Sequence, residues 1–260
     1  MVWISYAQNF EDVILMRALD HVERGFYIDV GAQHPRIDSV SRAFYDKGWR
    51  GLHVEPVPVY AELLRQDRPD ESVVQAMLGT RSGQTNFYEI PETGLSTAVQ
   101  NIAQEHTARG FRVVETMVEQ TNLARIFDMS GEREIHWLKA DVEGNELFVL
   151  RGWLHHHARP WVVVVESTLP LSQTPTHQNW EAYLQRRGYR FVYFDGLNRF
   201  YLHKDHLEIK PAFNYGPSVF DNFTLSGLAS NTFCAHIQCG LLPGRIRGCK
   251  PKPLKTPSAV

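Results

Sequence analysis

Short apolar runs alternate with stretches of helical spacing along most of the chain. Phe26-Tyr27-Ile28-Asp29-Val30 is an apolar run that stops at Gly31, the pattern of a buried strand. Ser39 to Lys47 places Val40, Ala43 and Phe44 at helical spacing, with Gly48 as the stop. Leu52-His53-Val54-Glu55 predicts a second strand, cut by Pro56. Val59 to Gln66 predicts a helix with Tyr60, Leu63 and Leu64 inward, and Val73 to Met77 a third strand. Ile135 to Asp141 and Val162 to Glu166 predict two more. Four consecutive valines suit a strand covered on both faces, as in a parallel sheet between helices. Asn179 to Arg187 reads as a helix ended by Gly188. Tyr189 to Asp195 and Arg199 to Leu202 read as closing strands around Gly196-Leu197-Asn198. Thr85 to Arg133 is the least regular region, with an edge strand, a loop at Gly94 to Thr97 and one helix near Leu123 to Phe127. The alternation predicts a doubly wound, mostly parallel α/β sheet.

Composition narrows the class. The chain has 260 residues, 43% hydrophobic and 22% charged, with a formal net charge of −2. That excludes a disordered chain, a fibre and a coiled coil, and argues against a nucleic-acid partner. No apolar run is long enough to span a membrane, and the start lacks a signal-peptide pattern. Three Cys form no disulfide framework, so the expected compartment is the cytosol. The charge is uneven. From Ala229 to Val260 there is no acid, and Arg245, Arg247, Lys250, Lys252 and Lys255 give +5. The remaining 22 Lys and Arg against 29 Asp and Glu leave −7. Four prolines after Leu241 and no periodicity predict a mobile basic tail at 229–260, with the folded domain at 1–228. Cys234, Cys239, Cys249 and His236 fit no zinc spacing.

Candidate chemistry follows from how the strands end. In an open α/β sheet a ligand binds beyond the carboxyl ends of the strands. Acids sit at four such ends: Asp29 before Gly31, Glu55 before Pro56, Asp141 in Asp141-Val142-Glu143-Gly144, and Glu166. Buried strand ends gain nothing from carboxylates, which cost desolvation, so four on one edge point to a site. Gly31 permits close backbone approach, and Glu55, 26 residues after Asp29, is placed to take ribose hydroxyls. The glycine-rich pyrophosphate turn is missing, because Ala32, Gln33 and His34 follow Gly31; no P-loop occurs either. That argues against a nicotinamide dehydrogenase. A ribose-bearing cofactor without a pyrophosphate points to S-adenosylmethionine. A non-catalytic binding module would have no need of the four acids.

The sequence resembles the FkbM family of S-adenosylmethionine-dependent methyltransferases, over roughly residues 3 to 225. The likeness rests on Ser5-Tyr6-Ala7-Gln8-Asn9-Phe10-Glu11-Asp12, Asp29-Val30-Gly31-Ala32, Gly48-Trp49-Arg50-Gly51 with Glu55-Pro56, Gly94-Leu95-Ser96-Thr97, Leu138-Lys139-Ala140-Asp141-Val142-Glu143-Gly144 and Val165-Glu166, in that order. Ala140 departs from the isoleucine common there. Asp195 to Tyr201 and Phe220 to Phe223 are similar to a subgroup associated with bacterial polysaccharide clusters. The resemblance implies a Rossmann-like class I fold with a short N-terminal helical cap. It implies O-methylation, commonly of a sugar hydroxyl or a natural product. It places Asp29, Gly31 and Ala32 under the methionine part of the cofactor and Glu55 with Pro56 at the ribose. Ala76, between Gln75 and Met77, falls near the adenine, and Ser5, Gln8 and Asp12 fold over the cofactor.

A sugar hydroxyl needs a base or a metal to become a nucleophile. Asp141 and Glu166 end adjacent strands, so each is a candidate base. Together they are also candidate ligands for a divalent cation such as Mg²⁺, holding two substrate hydroxyls. His177 is the alternative base, its bland reading a surface histidine. Glu143 is either a site residue or the cap of the following helix. His34, Asn198 and Arg199 are candidate contacts to a sugar or glycan acceptor, and Asn198 also suits a plain turn. His155-His156-His157 reads as a solvated loop. The tryptophans read as core or interface rings, which leaves a homo-oligomer open.

Overall fold

The computed structural model describes residues 3–131, 133–231 and 234. The chain opens with β1 (Trp3–Ser5) and the helical cap α1 (Glu11–Ala18). Then come β2 (Phe26–Val30), α2 (Val40–Asp46), β3 (Arg50–Val54), α3 (Pro58–Asp67) and β4 (Ser72–Val74). An inserted unit follows: β5 (Met77–Gly79), β6 (Gly83–Glu89), α4 (Gln100–Ala108), β7 (Val114–Asn122) and α5 (Leu123–Ser130). The chain continues through β8 (Trp137–Ala140), α6 (Glu146–Arg151), β9 (Val162–Glu166), α7 (Glu181–Arg186), β10 (Tyr189–Phe194), β11 (Asn198–His203) and β12 (Phe223–Leu225).

The main sheet has the order β10-β11-β9-β8-β2-β3-β4. β4, β3, β2, β8 and β9 run parallel, and β11 lies antiparallel between β9 and β10. The strand order reverses between β2 and β8, and such a switch point opens a crevice at the carboxyl ends. The valine strand shows why this sheet is covered on both faces. Val163 and Val165 pack with α5, α6 and α7 through Ile126, Val149 and Leu184. Val162 and Val164 pack with α1 and α2 through Ile14, Leu15 and Phe44. Burying one such side chain contributes about 1.5–3 kcal/mol. Trp49, Trp137, Trp153 and Trp180 are core rings, and Tyr27 stacks on Trp137 at 4.6 Å between centroids.

Three expectations change. The run Val73 to Met77 is two strands in two sheets. Ala76 N–H donates to the Val74 carbonyl and closes a tight turn, so β4 ends and β5 starts elsewhere. The irregular region holds β7 and most of β6, which with β5 form a three-stranded sheet of order β5-β7-β6, and an additional helix, α4. In β7 the residues Val114, Thr116 and Val118 alternate with exposed Glu115, Met117 and Glu119, a weak half-buried strand signal. Finally, Asn179 to Arg187 is not one helix. Trp180 (φ −131°, ψ −18°) separates a 3₁₀ turn at His177–Asn179 from α7.

β1 pairs in parallel with β12, so the N-terminal segment lies against residues 223–225. Beyond them Ser230 N–H donates to Asp38 (2.8 Å), and Asn231 Nδ2 donates to the Gln8 carbonyl (3.0 Å). Most of the predicted tail, with Cys239, Cys249 and His236, lies outside the described residues. Among the described residues, no helix is long and apolar enough to cross a membrane.

Candidate active site

A cavity of about 750 Å³ lies where β2 and β8 end, lined by Asp29, Gly31, Lys139, Asp141 and Glu143 from the strand ends. Gln8 and Glu11 line it from the N-terminal segment, and His34 and Asp38 from the loop after β2. A narrower slot adjoins it, lined by Glu55, Pro56, Ala76, Met77, Leu78 and Phe87. Gly31, Gln33, Tyr60, Asp141 and Glu143 line both. Gly31 makes this junction possible. Its φ is +79°, and a Cβ there would lie 1.8 Å from the Asp141 carbonyl oxygen.

The acids differ in their surroundings. Glu55 is buried; its carboxylate accepts from Gln33 N–H and Val57 N–H, both at 2.8 Å. Burial pushes it up to about 7 against those two bonds. Asp29 accepts from Ser41 Oγ at 2.6 Å. Asp141 accepts from Lys139 Nζ at 2.6 Å. Burial alone would lower the Lys139 ammonium, but Asp141, Asp29 and Glu11 outweigh it and hold it above the ordinary lysine range. Oxygens of Asp141, Glu143 and Glu166 lie within 4.8 Å of one another. Burial pushes Glu143 and Glu166 well up, and the neighbouring carboxylates push the same way.

Residues 29–191 match the Methyltransferase FkbM domain. The chain belongs to the FkbM methyltransferase family. No curated protein matches it. Among solved structures, a TehB-like SAM-dependent methyltransferase from Corynebacterium glutamicum is similar at 9% identity and a TM-score of 0.41, covering 74% of this chain and 88% of that one. A candidate O-methyltransferase from Klebsiella pneumoniae is similar at 10% identity and a TM-score of 0.39, covering 74% and 78%. Likeness this distant adds nothing to the strand order described above. Methyltransferases of this family depend on S-adenosylmethionine, and the cavity and slot fit that cofactor. Gly31 brings the backbone close, an acid sits beside the slot, and Ala76, Met77, Leu78 and Phe87 give the slot an apolar wall for a purine.

Of the residues singled out in the sequence, Gln8, Asp29, Gly31, Ala32, His34, Glu55, Pro56, Ala76, Asp141 and Glu143 line the cavity or the slot. Glu166 joins it through the carboxylate group above. Ser5 and Asp12, expected over the cofactor, are buried and line neither the cavity nor the slot. Ser5 Oγ donates to Asp12 (2.7 Å), and Asp12 also accepts from Tyr6 N–H and Ala7 N–H, which shapes the turn carrying Gln8. Asn198 is fully buried and lines neither the cavity nor the slot; its Nδ2 donates to Glu11 at 2.9 Å. Arg199 stacks over Phe191 and pairs with Glu181 at 3.2 Å, and His177 has Arg199 and Glu181 as its charged neighbours. Neither Arg199 nor His177 lines the cavity or the slot.

At the start of α6, Glu146 rather than Glu143 bonds the backbone. Its carboxylate accepts from Gly144 N–H at 3.0 Å and tethers the start of α6, so Glu143 is free of that task. Sequence reasoning missed Glu11 and Lys139. Glu11 reads as an ordinary acid in a first helical turn. In the structure it lines the cavity, and burial with Asp195 nearby pushes it up to about 8. Lys139 reads as an alternating strand residue; the missed signal is a lysine inside an otherwise buried strand.

Proposed function

We propose that this protein transfers the methyl group of S-adenosylmethionine to a hydroxyl of a sugar or glycan. The observation that carries the reading is the position of Asp141. It lines both the slot and the larger cavity, and Lys139 fixes its carboxylate. In this reading the slot holds the adenosine, with Glu55 and Pro56 at the ribose and Ala76 beside the purine. Asp29, Gly31 and Ala32 back the methionine part, and Gln8 closes over it. When bound, S-adenosylmethionine supplies a methyl on a sulfonium; the acceptor oxygen forms the new C–O bond as the S–CH₃ bond breaks, leaving S-adenosylhomocysteine.

The chain's own residues do the rest. Asp141 takes the proton from the acceptor hydroxyl at its carboxylate, and Lys139 orients that carboxylate. The cavity suits a polyhydroxylated acceptor. Gln8, His34, Asp38, Thr93 and Ser230 supply polar contacts around its wall, and it is large enough for more than one sugar ring.

Calorimetric titration with S-adenosylhomocysteine tests the cofactor part. Binding in the micromolar range, weakened in Glu55→Ala, is expected. Parent and Glu55→Ala binding alike would remove Glu55 from the cofactor site. An incubation with nucleotide sugars and glycans then reads the acceptor class, and transfer only to amines or carboxylic acids would overturn it.

A further inference from the structure

We propose that Asp141, Glu143 and Glu166 form a site for a divalent cation of the Mg²⁺ and Mn²⁺ class. Three carboxylates within 4.8 Å of one another present only hard oxygen ligands, the set such cations prefer. Lys139 contacts one of the three, Asp141. Charge at this spacing, held beside low-dielectric walls, calls for a counter-cation or for bound protons.

Two further observations point to a ligand. Glu166 is 5% exposed, and its Oε2 is buried with no hydrogen-bond partner. Its cross-strand partner is Asn198, whose amide donates to Glu11 and Asp195. Leaving a buried carboxylate oxygen unpaired is costly, and a bound cation removes the cost. Glu143 Oε2 is likewise buried without a partner. Its backbone has φ +51°, a conformation unfavourable for a side-chain-bearing residue. The inserted unit holds it there: Thr97 Oγ1 donates to the Glu143 carbonyl at 2.7 Å, and the following Gly144 (φ +96°) packs on Ile102. With Glu146 tethering the helix, that strain serves to aim the Glu143 carboxylate.

Three protein oxygens leave open positions on a cation that takes about six. Asp141 and Glu143 line the cavity, so those positions face the acceptor; one Asp141 oxygen serves the cation and the other is left for the acceptor proton, and this role, unlike the binding itself, rests on the methyl-transfer reading. The test is a titration of Mn²⁺ into the full chain after chelator treatment, followed by electron paramagnetic resonance. S-adenosylhomocysteine binding is measured on the same preparation. One Mn²⁺ per chain is expected, displaced by excess Mg²⁺. Glu143→Gln and Glu166→Gln are each expected to weaken it by at least about tenfold. Glu55→Gln is expected to keep Mn²⁺ affinity while weakening S-adenosylhomocysteine. Thermal unfolding checks each variant, and Glu143→Gln, on a loop, carries the test if Glu166→Gln does not fold. Equal Mn²⁺ affinity in all variants overturns the assignment. S-adenosylhomocysteine binding without any Mn²⁺ binding overturns the cation site and leaves the methyltransferase standing. Mn²⁺ binding lost in both variants, without S-adenosylhomocysteine binding, supports the site and removes its role in transfer.

Discussion

Two clusters of buried charge flank β2, and their hydrogen bonding differs sharply. On the β3 side, Arg68 is fully buried and its guanidinium donates to Ser41 Oγ, Ser39 Oγ and the Pro35 carbonyl at 2.6–2.9 Å. Glu71 accepts from the Tyr27 hydroxyl (2.6 Å) and pairs with His53 Nε2 (2.7 Å). Burial alone would raise the Glu71 carboxyl, but His53, Tyr27 and Arg68 outweigh it and hold it below the usual range. On the β8 side, Lys139 pairs with Asp141 alone of Asp141, Glu143 and Glu166, and buried oxygens of Glu143 and Glu166 have no partner. The first cluster holds the loop of residues 31–39 against the sheet from below. The second is incomplete as the chain alone builds it. Arg68 Nε and His53 Nδ1 also lack a partner, but each side chain of the first cluster has a partner elsewhere in the chain, whereas the Glu143 and Glu166 carboxylates at the cavity edge have buried oxygens and no hydrogen-bond donor.

This contrast predicts opposite responses to neutralisation. The largest expected effect is in the paired cluster. Arg68→Met removes one partner from a buried network and should cost about 3–5 kcal/mol in urea unfolding. Glu166→Gln removes an unpaired buried acid and should leave stability unchanged or raise it at pH 8. A similar loss in both variants would break the contrast. Next comes Gly31→Ala, whose added Cβ meets the Asp141 carbonyl at a positive φ. It should abolish S-adenosylhomocysteine binding in calorimetry, and parental affinity would show that the turn can relax. The smallest effect is a pH slope. The Glu55 carboxyl, raised from 4.5 to about 7, binds its proton more tightly in the folded chain. Its contribution is therefore full below about pH 4.5 and is lost as pH rises through 7. Unfolding measured from pH 4.5 to 8 should decline less steeply in Glu55→Gln than in the parent, whatever the variant's absolute stability.

Much of the framework was legible because it depends on local periodicity. Phe26 to Val30 and Val162 to Glu166 are strands at the residues the apolar runs mark, and their ends deliver Asp29, Gly31 and Glu166 to one edge. The inserted unit was not legible. β7 is half-exposed and interrupted by glutamates, and its partner β5 is only three residues long. Lys139 and Glu11 escaped for a different reason. Each lies close in sequence to a singled-out acid, Asp141 and Asp12 respectively, but its own place at the cavity depends on α1 packing against the sheet. Glu143 admits two readings in sequence because the bond that tethers the loop before α6, from the Gly144 amide to Glu146, is not visible there.

The most direct measurement is methyl transfer from isotopically labelled S-adenosylmethionine to sugar acceptors by the parent and by Asp141→Asn. The account predicts label in a base-stable methyl ether. It predicts a loss of turnover of at least about a hundredfold in Asp141→Asn, with S-adenosylhomocysteine affinity little changed. Label in a base-labile ester or an amine, or parental turnover by Asp141→Asn, would contradict it.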